Sequence, residues 1–148
     1  MENAKQSLVH LLALSPRQKR RTPYNDKDLE HFRELILAKR DEAVEEIKHL
    51  KAQLENNDRD HLDADSAYSY HPADSATDAM ERESTYLMID RQQKLIGYLD
   101  RALERIANKT YGICRVTGYA IDRERLEAIP HTEISVEAKI REQQRGGR

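Results

Sequence analysis

The feature that most constrains this chain is a run of apolar residues at heptad-like spacing: Leu29, Phe32, Ile36, Ala43, Ile47, Leu50 and Leu54. Steps of three, four and seven residues place them on one stripe of an α-helix. Arg40 or Lys39 falls where a contact is missing from the series. Asn25 or Asp26 can cap the start, and the pattern runs to about Glu55, which predicts a helix of roughly 30 residues or ~45 Å. A second series follows at Met80, Leu87, Met88, Leu95, Leu99, Ala102 and Ile106, again mostly at steps of three and four. Neither helix can bury its stripe alone, so the two are expected to pair antiparallel.

Composition agrees with long, half-solvated helices rather than a large globular core. Charged residues make up 35% of the 148 residues and aromatic residues 5%, with no Trp and one Phe. Five Gly and four Pro leave room for unbroken segments. The net charge of −2 gives no reason to expect tight binding to a nucleic acid backbone, and no basic recognition helix is evident. A single Cys excludes an intramolecular disulfide framework, and no apolar run approaches the ~20 residues that span a bilayer. A cytoplasmic protein without a membrane segment is the expectation.

Residues 1–25 read as a mobile extension with a basic group at Arg17, Lys19, Arg20 and Arg21. Residues 26–109 read as the hairpin, and its turn at about 57–78 is acidic. Asp58, Asp60, Asp63, Asp65, Asp74 and Asp78 stand there against one Arg. Three readings of these carboxylates remain open. They can be solvated residues and N-terminal caps of the second helix, where the helix dipole favours them. They can hold a Mg²⁺, which needs only one or two protein carboxylates. They can also probe a basic or metal-containing cleft of a larger partner.

The segment after the hairpin carries the pattern Tyr111-Gly112, Cys114, Thr117-Gly118, Ile121, then Arg125-Leu126-Glu127-Ala128 and Pro130. This run resembles the zinc-finger segment of the DksA/TraR family of transcription regulators, in which two Cys-x-x-Cys pairs hold a structural Zn²⁺. The four ligand positions of that family fall on Cys114, Thr117, Ser135 and Ala138. One thiolate cannot supply the four N or S ligands of a structural zinc site, and nearby His131 does not restore the set. The resemblance therefore implies a degenerate, zinc-free finger at 110–133, followed by a C-terminal helix at 134–145. Ile113, Val116, Ile121, Leu126, Ile129, Ile134, Val136 and Ile140 are the expected replacement core, with Cys114 as a buried small hydrophobe. The expected fold is thus mainly α: a long helical hairpin, or coiled coil, with a small finger-like part and a C-terminal helix.

The same resemblance extends to the tip, where Asp74-Ser75-Ala76 matches an Asp-x-Ala signature. It implies a monomer that binds RNA polymerase through its secondary channel, reads no specific DNA sequence, and remodels promoter complexes without catalysis. It assigns the active-centre tip to Asp74, Ala76 and, less directly, Asp78, and a polymerase contact to Arg91. An earlier tip Asp of the family is His71 here. Some members form a (p)ppGpp site with the polymerase, at positions that are Leu95, Tyr98, Ile129 and Lys139 in this chain. Two of those positions are commonly basic, so little cationic provision for phosphate remains.

Two other functions fit parts of the pattern. A Gre-like factor also inserts an acidic hairpin tip, but holds Mg²⁺ there to stimulate transcript cleavage. Such proteins continue into a β-rich domain, and none fits after residue 110. A coiled-coil dimerisation module would leave the acidic tip and the finger remnant unexplained.

Overall fold

A computed structural model describes the backbone of residues 21–63 and 72–146, and the side chains of residues 21–57 and 76–146. Among the described residues four helices follow in order: α1 (Asp26–Asp63), α2 (Pro72–Ala107), α3 (Arg123–Ala128) and α4 (Val136–Gly146). The fold is mainly helical, with two long helices as the stripes predict. Both are longer than predicted toward the turn. α1 continues past Glu55 to Asp63, and α2 begins at Pro72, a residue whose fixed φ suits a first helical position. The expected turn at about 57–78 is thus helical over 57–63 and 72–78, and residues 64–71 lie outside the described residues. α3 was not expected within the finger segment, and α4 starts two residues later than predicted.

The chain divides into two compact units, Met1–Leu37 with Tyr98–Arg148, and Ala38–Gly97. The first holds the start of α1, the end of α2 and the finger segment. Its buried residues include Leu29, Phe32 and Ile36 from α1 and Leu99, Ala102 and Ile106 from α2. Asn25 is the α1 cap, its Oδ1 accepting from the Asp28 N–H at 2.8 Å. α2 ends in a Schellman turn: the Thr110 N–H donates to the Arg105 carbonyl and the Lys109 N–H to that of Ile106, with Lys109 left-handed at φ 59°. Residues 22–25 are not a loose leader. The Thr22 N–H donates to the Lys109 carbonyl at 2.7 Å, and the Tyr24 ring meets Phe32 edge-on at 5.1 Å. Residues 1–20, including the basic group, lie outside the described residues.

In the second unit Leu50, Leu54 and Ile89 form a buried cluster, with Ile47 packed against it. Every apolar position read from α1 is buried or half-buried. The α2 stripe needs correction at its first half. Met80, Leu87 and Met88 are exposed, and Ile89 takes the inward position instead. Asp78, Thr85 and Gln92, at near-heptad steps around Ile89, are the half-buried residues there. The inward face of this half of α2 is thus mostly polar.

Candidate functional site

The finger segment is built on two tight turns that bring together Cys114, Thr117, Ser135 and Ala138, the positions that the resemblance matches to zinc ligands. Gly112 opens the first with φ 86°, a conformation in which a side chain is strained. The Cys114 N–H donates to the Tyr119 carbonyl and the Gly118 N–H returns to the Cys114 carbonyl, both at 2.8 Å. The Ile121 N–H closes on the Gly112 carbonyl, which leaves an isolated antiparallel bridge between Ile113 and Ala120.

Each of the four positions has a local task. The Cys114 sulfur is buried and accepts from the backbone N–H of Thr117 at 3.5 Å and of Ser135 at 3.3 Å. Burial pushes its thiol up, but donation from Thr117 and Ser135 outweighs this and lowers it to about 7. The Thr117 hydroxyl accepts from the Tyr119 N–H. Ser135 caps α4, its hydroxyl accepting from the Ala138 N–H at 3.3 Å, and Ala138 contributes a buried methyl group. One sulfur, two hydroxyls and a methyl do not form a tetrahedral N/S donor set. Among the described residues no group of three His, Cys, Asp or Glu could hold a metal ion.

Side chains cross-brace the segment. The Tyr111 hydroxyl donates to the Pro130 carbonyl at 2.8 Å, and burial pushes this phenol well up, so it stays a neutral donor. Arg105 of α2 pairs with Glu133 at 3.0 Å and donates to the His131 carbonyl. Arg125 donates to the Ile134 carbonyl at 2.9 Å and to the Thr132 hydroxyl. His31 and Glu127 lie 2.9 Å apart, and Arg123 reaches Asp28, which ties α3 to α1. Of the expected replacement core, Ile121, Leu126 and Ile134 are buried and Ile113 is half-buried. Val116, Ile129, Val136 and Ile140 are exposed. Tyr111, Pro130 and Cys114 fill the interior in their place. The bracing by Arg105 and Arg125 carries no signal in the sequence.

Tyr98, Ile129 and Lys139 line one cavity of about 360 Å³, together with Arg115, Arg125, His131 and Glu133. The Tyr98 ring stacks on His131 at 6.0 Å, with the Arg101 guanidinium 4.8 Å from the Tyr98 centroid. Arg115 pairs with Glu133 and Glu142, so the cationic groups of the cavity are largely held by the protein itself. Leu95 belongs to the other unit, is half-buried, and does not line this cavity. In that other unit Ala76 and Arg91 are exposed on α2, whereas Asp78 is half-buried. Asp74 is the third helical residue of α2, and its side chain lies outside the described residues.

Two long helices, with the start of α1 and the end of α2 packed in one unit with the turns of the finger segment, define the class: a factor of two long helices with a zinc-finger-like fold. Residues 109–144 match the sequence pattern of the prokaryotic dksA/traR C4-type zinc finger. Over 121 residues the chain is 36% identical to the RNA polymerase-binding transcription factor DksA of Caulobacter vibrioides, covering 82% of this chain and 80% of that one. The protein of the same name from Haemophilus influenzae is 28% identical over 153 residues, covering 99% and 100%. The solved structure of transcription factor DksA2 from Pseudomonas aeruginosa matches with a TM-score of 0.69 and 26% identity, over 95% of this chain and 98% of that one. The chain belongs to the DksA/TraR family.

Proposed function

We propose that this chain regulates transcription initiation by binding RNA polymerase through its secondary channel and remodelling promoter complexes with the tip of its helical hairpin. The observation that carries this reading is the 36% identity, over most of both chains, to a relative named for binding RNA polymerase. The tip sequence Asp74-Ser75-Ala76 at the start of α2 supports it. The action is a biased equilibrium rather than a reaction. A factor that binds one polymerase–promoter state better than another shifts the population by no more than its differential affinity. Asp74 and Ala76 act at the polymerase active centre, and exposed Arg91 contacts the enzyme from further along α2. Asp78, half-buried, is the weaker participant.

The finger works without zinc, because its donor set offers one sulfur and its turns are closed by hydrogen bonds and ion pairs. A tetraphosphate such as (p)ppGpp would meet Lys139 but the neutral side chains of Tyr98 and Ile129, so the nucleotide contributes little. The protein acts in the cytoplasm as a monomer. No helix among the described residues is long and apolar enough to cross a membrane.

In vitro transcription from a ribosomal RNA promoter, comparing wild type with Asp74→Asn, tests the reading. The expected result is retained polymerase binding with at least a tenfold loss of effect on initiation. Equal activity rejects the tip role. Asp74-dependent stimulation of transcript cleavage in a stalled complex would establish a Gre-like function instead.

A further inference from the structure

The second unit is closed by far less than the first. The largest fully buried side chains among the described residues, from Phe32 and Ile36 to Tyr111 and Leu126, all belong to the first unit. Side chains there also tie separate elements together, as Arg105 does with Glu133 and Arg123 with Asp28. In the second unit the buried cluster is Leu50, Leu54 and Ile89, which remain 5%, 8% and 7% exposed. The ion pairs Glu45–Lys48 and Asp90–Lys94 of this unit each lie within one helix.

The cause lies in the stripe that α2 turns inward. Asp78, Thr85, Ile89, Gln92 and Ile96 follow at steps of seven, four, three and four, which keeps them on one face. Ile89 is buried and the other four are half-buried. Thr85 and Gln92 flank Ile89 at seam positions that an apolar side chain fills in a stable helix pair. The Thr85 hydroxyl donates to the Glu81 carbonyl at 2.9 Å, a bond inside its own helix. The apolar residues Met80, Leu87 and Met88 of this half of α2 are exposed and add nothing to the seam. On α2 the unit ends at Gly97, the interior residue least favourable to a helix.

We infer that the second unit is a latched arm: it opens cooperatively while the first unit stays folded, Ile89 is its latch, and Thr85 and Gln92 keep the latch weak. Proteins open in sub-global units, and those with few buried apolar contacts open most readily. Ile89 is the one buried α2 residue of this unit among the described residues. Once it leaves Leu50 and Leu54, neither helix keeps its apolar stripe covered, and both lose the packing that stabilises them. Ordinary fraying is confined to helix ends, whereas Ile89 lies deep inside α2. The tip signature Asp74-Ser75-Ala76 belongs to α2 of this unit, so its order follows the latch and not the finger. The opening is a property of the chain itself and needs no partner.

The test is hydrogen exchange of the full chain under native conditions, read peptide by peptide by mass spectrometry. Amides of 86–96 on α2 and 44–54 on α1 are expected to exchange through a shared opening, roughly a hundredfold or more faster than those of 99–106. Ile89→Ala should speed both segments by about tenfold or more and leave 99–106 within about twofold. Thr85→Leu combined with Gln92→Leu should slow both segments by about tenfold or more, again with 99–106 unchanged. This second variant adds packing, so it keeps the test decisive if Ile89→Ala unfolds the protein. Equal protection of 86–96 and 99–106 in wild type overturns the separate unit. Exchange of 86–96 that the double leucine variant leaves within about twofold overturns the polar seam as its cause. Loss of protection at 86–96 without 44–54 means that one helix frays alone, and overturns the inference as well.

Discussion

Replacing Gly112 by alanine forces a methyl group into space held by the Tyr24 ring. A Cβ built on Gly112 lies 2.7 Å from Tyr24 Cε2 and 3.2 Å from Cδ2, and the residue has φ +86°. The left-handed conformation alone costs a side chain about 1–2 kcal/mol. The ring must also leave its place against Phe32, 5.1 Å away, and Tyr111, 6.4 Å away. Losing such aromatic contacts costs about 0.5–1.5 kcal/mol each. The expected destabilisation is ~2–5 kcal/mol, read as a drop of ~1–2.5 M in the urea midpoint at an m-value of about 2 kcal/mol/M. A double-mutant cycle separates the two causes. In a Tyr24→Ala background Gly112→Ala should cost only its backbone share, giving a coupling of at least ~1 kcal/mol. A cost below ~0.5 kcal/mol, or an equal cost in both backgrounds, would refute the packing of Tyr24 over the finger turn.

Tyr111→Phe removes the buried hydroxyl that donates to the Pro130 carbonyl and should cost about 1–3 kcal/mol in urea unfolding; a cost within 0.5 kcal/mol would show that the bond is dispensable. Cys114, held at about 7 in the folded protein against 9.0 when unperturbed, makes stability depend on pH. Its folded value is the lower one, so the stabilisation is fully present above about 9 and is lost as pH falls through about 7. Wild type should therefore gain up to ~2 kcal/mol between pH 6.5 and 9 relative to Cys114→Ala, and parallel pH profiles would exclude a stabilised thiolate.

How far the fold was legible depended on where apolar residues face. In α1 the apolar positions and the buried face coincide, so the heptad pattern located the core correctly. In the first half of α2 they part company: Met80 and Leu87 keep a heptad step while pointing outward, and the inward face carries Asp78, Thr85 and Gln92. Hydrophobicity alone assigns such a helix the wrong face. The same separation explains the finger. Four of its eight expected core aliphatics are exposed. Its interior is closed by Tyr111, by Arg105 and Arg125 reaching backbone carbonyls, and by Tyr24 from a segment read as a loose leader. These are long-range polar and aromatic contacts, up to 97 residues apart in sequence, and no local pattern announces them. The four positions matched to the family's zinc ligands were chosen on their spacing; that Ser135 caps a helix became visible only from geometry.

That hydrogen bonds and side-chain braces hold the finger without a metal is tested most directly by one binding titration. Protein unfolded and refolded in excess chelator, with no zinc in any buffer, is titrated against RNA polymerase beside untreated protein. The two curves are predicted to coincide within twofold. A treated protein that fails to bind until Zn²⁺ is restored would mean that Cys114 and its neighbours still hold a metal, and that polymerase binding depends on it.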